Sequence, residues 1–261
     1  MRAALSTRAT DPAADGAAGW AARRVSGWVL PVALSAALAW YNNVAGQRSW
    51  HQRWYPLANG CAAAALLTAA AGSGLTADDL GLGRGRLRSG LRLGAVAAAP
   101  VMAAYAAAVV IPAVRPVLRD ERVANLTGGQ RAYHVLLRIP VGTVAWEEIA
   151  FRGVLAAALR RVLPGPGATA WGSAVFGAWH IRPTAEALAG NGLAAGRIPR
   201  LAAVTGAVAA SGAAGAFLSV LRGRSGSLAA PVIVHLAANC AGPLASALAA
   251  RLDRRCEIIT Q

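Results

Sequence analysis

Apolar runs close to or above ~18 residues recur along this sequence, and they narrow its possible folds more than any other feature. Such runs are the signature of membrane-spanning helices rather than of one large soluble core. The charge content agrees. Only 14% of the 261 residues are Asp, Glu, Lys or Arg and 56% are hydrophobic, whereas a soluble domain carries about 25% charged residues. The expected fold is all-α, a polytopic transmembrane bundle of about seven spans within a range of six to eight.

The spans are expected near 25–41, 55–71, 91–114, 133–163, 168–181, 200–221 and 227–250. Residues 1–24 lack an apolar period and read as a disordered lead, 25–250 as one transmembrane domain, and 251–261 as a polar tail. Trp40, Tyr41, Trp50, Trp54 and Tyr55 crowd one short loop, as an interfacial aromatic belt does. The fourth span is longer than a bilayer needs, so tilt or a break is expected near Pro140 and Gly142. Pro164-Gly165-Pro166-Gly167 ends it. In the sixth, Ala207, Ser211, Gly215 and Ser219 form a small-residue seam for close helix contact.

The net charge of +15 comes wholly from arginine, and the chain has no lysine. The arginines fall mainly between apolar runs, where they meet lipid phosphates and anchor helix ends. That distribution argues against a nucleic-acid partner. They divide evenly between the two sides, so the positive-inside rule assigns no orientation. Cys61 and Cys240 read as small buried side chains and Cys256 lies in the charged tail. Their spacing makes neither a disulfide framework nor a zinc knuckle.

The fourth span carries Trp146-Glu147-Glu148-Ile149-Ala150-Phe151-Arg152-Gly153. Ionisable groups among such apolar flanks cost roughly 2.5–3.5 kcal/mol each on insertion scales unless paired. Glu148 and Arg152 are four apart, so they share a helix face with the acid in the favoured N-terminal position. Glu147 points about 100° away and has no partner on its own helix. It must find one across the bundle, which makes it the better candidate for chemistry. Two later spans supply partners, Phe176 with His180 and His235 with Asn239, each pair again four apart. The remaining histidines, His51 and His134, lie near span ends and read as interface anchors. One carboxylate, two imidazoles and an amide suffice for hydrolysis by activated water.

Glu147-Glu148-(three residues)-Arg152, then Phe176-(three)-His180, then His235-(three)-Asn239 resembles the signature of the CPBP intramembrane proteases, which include the type II CAAX prenyl endopeptidases. The resemblance covers about residues 133–245, which would be the catalytic core. It implies a multi-pass protein of the cell membrane with a polar intramembrane cavity, acting on a peptide or protein substrate that in some relatives is prenylated. Glu147 would polarise water with help from His180. His235 and Asn239 would stabilise the oxyanion, Glu148 and Arg152 would support, and Phe176 would pack beside His180. Glu147, His180 and His235 could also form a His₂Glu zinc site. Asn239 is a poor zinc ligand and a good oxyanion donor, so the metal-free route is favoured over the zinc alternative. Two other classes compete. A transporter or proton relay would also place Glu and His in the membrane, but no broken-helix repeat is visible. A non-catalytic immunity or scaffold protein would not need the complete polar set.

Overall fold

The computed structural model describes residues 12–118, 120, 123, 126–192 and 196–260, with side chains for those between 27 and 254. Among them every regular element is helical. In chain order these are α1 (Pro12–Asn43), α2 (Ser49–Arg53), α3 (Tyr55–Gly72), α4 (Ala77–Leu80), α5 (Leu87–Val110), α6 (residues 128–160), α7 (Gly165–Trp179), α8 (Ile181–Gly190), α9 (Arg197–Ser225) and α10 (Ala229–Thr260). The helix boundaries differ from the expected ones at both ends. The boundary expected at residue 24 falls inside α1, and α10 takes in most of the expected tail. Residues 1–11 of the lead and the side chain of Cys256 lie outside what is described.

Three stretches of the described residues are long and apolar enough to cross a membrane: Ala77–Val110, Arg197–Ser225 and Ala229–Arg254. By contrast α7 has 15 residues, roughly 22 Å at 1.5 Å per residue, against an apolar layer of ~30 Å. Cys61, expected to be buried, faces outward from α3, and Cys240 is half-buried. Large apolar side chains such as Val96, Leu136 and Ile198 face outward, so hydrophobicity alone does not mark the inside.

The central helix α6 starts on a capping box. Thr127 accepts the Gln130 N–H, and the Gln130 side chain accepts the Thr127 N–H. From there the helix runs unbroken to Arg160, but it is π-helical over His134–Ala145 and Glu148–Leu155. Of the tilt or break expected near Pro140 and Gly142, no break occurs. Proline lacks an N–H and crowds the carbonyl four residues earlier. The wider π-turn, whose bonds reach five residues back, accommodates it instead. Below the polar residues, Trp146, Phe151, Leu155, Phe176 and Trp179 form one buried cluster with Leu38 of α1.

The small-residue face of α9 turns toward α7. A Cβ added at Gly177 would stand 2.7 Å from the Val208 carbonyl oxygen, whereas one at Gly206 would meet nothing within 4 Å. Gly177→Ala is therefore expected to cost about 1–3 kcal/mol by overpacking. Gly206→Ala should instead stabilise by up to about 1 kcal/mol through helix propensity. Thermal unfolding in detergent checks the opposite signs. At its other end α9 closes on Gly226 at φ +68, a left-handed cap that suits glycine.

Candidate active site

Three elements deliver the polar side chains. Helix α6 carries Glu147, Glu148 and Arg152, the corner between α7 and α8 carries His180, and α10 carries His235 and Asn239. The corner is held from a distance. Asn42 Nδ2 donates to the Trp179 carbonyl (2.9 Å) and Asn43 Nδ2 to the Ala178 carbonyl (3.0 Å), while Asn43 Oδ1 accepts the Arg182 N–H (2.8 Å). The end of α1 thus satisfies carbonyls left over where α7 stops and an N–H left over where α8 starts.

Glu148 is fully buried, and one of its oxygens serves two donors. Oε1 accepts from Arg152 Nη1 at 3.1 Å and from His235 Nδ1 at 2.8 Å. The Arg152 guanidinium lies 4.0 Å over the Phe176 ring, a cation–π contact that shields its other face. Glu147 finds its partners across the bundle. Its Oε1 accepts from Trp179 Nε1 at 3.1 Å. Its Oε2 is buried, makes no hydrogen bond and stands 3.8 Å from His235 Nε2. The His235 ring therefore sits between the two carboxylates.

His180 donates Nδ1–H to the Phe176 carbonyl at 2.8 Å, which leaves Nε2 as the ring's acceptor. Its ring packs edge-on against Phe176 at 4.7 Å. Glu147, Trp179, His180 and Asn239 line one cavity of about 750 Å³. Asn239 makes no side-chain bond among the described residues, so its amide is uncommitted there. His235 is not on that lining. Its Nε2 stands beside Glu147, which is on the lining.

The zinc set named from the sequence is not assembled. Among the described residues no group of three His, Cys, Asp or Glu side chains could hold a metal ion. Both rings bond through Nδ1, His235 to Glu148 and His180 to a backbone carbonyl, which leaves each Nε2 as the remaining ring nitrogen.

Sequence reasoning passed over several residues. Trp179, next to His180 in the chain, is the donor that fixes Glu147. Arg138 lies on the cavity wall. It stacks at 4.1 Å over Tyr55 and donates to Gln52 Oε1 at 2.8 Å. His51 is not an interface anchor but fully buried, with Nε2 3.0 Å from both Tyr41 Oη and Asn59 Oδ1. Burial holds the His51 pKa below its ordinary value, opposed by its bond to Asn59. Tyr41 in turn stacks on Trp179 with ring centroids 6.2 Å apart, so this network braces the residue that holds Glu147.

The fold and cavity define the class first: an all-helical membrane protein with a buried acid pair beside a polar cavity. Residues 130–241 match the family model described as Type II CAAX prenyl endopeptidase Rce1-like, in agreement with the resemblance. That family implies a protease working in a membrane. No curated protein and no solved structure matches the chain.

Proposed function

We propose that this protein is an intramembrane endopeptidase of the CAAX-processing type, hydrolysing a peptide bond by water activated on Glu147. In this reading α1, α3 and α6 join the three apolar stretches to give six crossings, at the lower end of the expected range. The observation that supports it most directly is Glu147 Oε2, a buried carboxylate oxygen without a hydrogen bond, on a residue that shares a cavity with His180 and Asn239. Glu147 Oε2 takes one proton from water, and His180 Nε2 accepts the other O–H and aims the oxygen. The oxygen attacks the carbonyl carbon and the C=O electron pair moves to oxygen. Asn239 donates to that oxyanion. On collapse the C–N bond breaks, and the leaving nitrogen takes the proton held by Glu147. His235, bonded to Glu148 and 3.8 Å from Glu147 Oε2, positions the acid pair rather than meeting the substrate. The family's name brings prenylated CAAX proteins as the substrate class.

The test is mass-spectrometric comparison of membrane proteins from cells with the wild-type chain and with Glu147→Ala. A new C-terminus that requires Glu147 supports the reading, and identical termini sink it. With that substrate, Asn239→Ala is expected to lower kcat by about 10²–10³ with little change in KM, since its bond strengthens on the oxyanion. Activity of the purified protein is expected to survive exhaustive chelation. Loss on chelation with recovery on added zinc would reverse the mechanism.

A further inference from the structure

A second concavity, of about 500 Å³, lies apart from the acid pair and is lined by four arginines and one aspartate. Arg115 follows α5, Arg131 belongs to the first turn of α6, and Arg251 and Arg254 lie beyond the apolar part of α10. The aspartate, Asp253, is spent on Arg115 at 2.8 Å, and Arg115 Nε is tied to the Val109 carbonyl at 2.8 Å. Arg131 donates Nη2 to the Leu126 carbonyl, but its Nε is buried with no partner. Arg251 and Arg254 have no acid partner among the described residues. Ser246 adds a hydroxyl from one to two turns deeper in α10.

The site is therefore strongly cationic, concave and anchored on three helical segments. An unpartnered guanidinium N–H in a buried position is costly, and guanidinium forks match the oxygens of phosphate in a bidentate manner. The position fits as well. The apolar run of α10 ends at Ala250 and Arg251 begins the polar stretch, so the pocket lies where a membrane-crossing helix meets the headgroup layer. We propose that this pocket binds an anionic phosphate group, with a lipid headgroup or a soluble phosphate as the two sources of that chemistry. Its Arg131 belongs to the same helix as Glu147, so an occupied pocket would fix the start of the helix that carries the acid pair.

Native mass spectrometry of the full chain released from detergent tests the assignment. One arm adds phosphatidylglycerol against phosphatidylcholine, and a second adds inorganic phosphate alone. The variant Arg251→Gln with Arg254→Gln changes two exposed side chains, so folding is kept. Arg84→Gln with Arg88→Gln removes the same charge elsewhere. A tenfold or greater loss of phosphatidylglycerol binding in the first variant, with less than twofold loss in the second, supports a headgroup site. The same pattern with inorganic phosphate and no preference between lipids supports a soluble phosphate. Equal losses in both variants, or no binding in either arm, overturn the proposal.

Discussion

Glu147→Gln is expected to lower turnover by 10² to 10⁴ while leaving the protein folded. The magnitude is that of removing a positioned general base. Glutamine keeps the volume and keeps an oxygen to accept from Trp179 Nε1, the bond that orients the side chain at 3.1 Å. It loses only the basic oxygen that would take the water's proton. The measurement is single-turnover cleavage of the substrate found by comparing C-termini, alongside thermal unfolding of the same preparation. A near-normal rate in a folded variant would move the chemistry away from Glu147. The companion Trp179→Phe deletes the donor and keeps an aromatic ring, so it should lower the rate by a smaller factor.

The largest loss of stability is expected from the neighbouring carboxylate. Glu148→Gln removes the charge that Arg152 and His235 share, and leaves the Arg152 side chain, 1% exposed, without its bonded acid and against the rings of Phe176 and Phe151. Breaking a buried pair on one side costs about 3–5 kcal/mol, because the remaining charge is stranded. Unfolding by heat or by SDS titration in detergent reads this directly. Adding Arg152→Met to Glu148→Gln should recover part of the loss, since a stranded charge is worse than none. A double variant less stable than Glu148→Gln would show that Arg152 stabilises through Phe176 rather than through the acid.

The two glutamates were separable in the sequence because a four-residue spacing survives the change from α- to π-turns well enough for Glu148 and Arg152 to meet. The absence of a local partner for Glu147 was equally legible, and its one donor, Trp179, does come from another helix. The identity of that donor was not. Trp179 reaches Glu147 from the last position of α7, a helix end whose carbonyls are held by amide side chains more than 130 residues away. His51 was misread for a related reason. Nearness to a span end in the chain gives no information about burial when a short helix folds back under its neighbours. The π-turns of α6 left no plain local mark either, since Pro140 is as consistent with a break as with a widened helix. The number of crossings was the least legible quantity, because helices that line a polar cavity dilute the apolar signal used to count them.

The clamp made by Asn42 and Asn43 has a consequence for how this protein can be divided. The stretch that matches the protease family begins at residue 130 and holds every acid, imidazole and amide of the site. The pins on the His180 corner come from residues 42 and 43, well outside it. The matched stretch is thus not a portable unit. Cut out, or fused to a foreign first helix, it would carry all its reactive groups and lack the splint that sets one of them, unless the first 43 residues were supplied alongside as a separate piece.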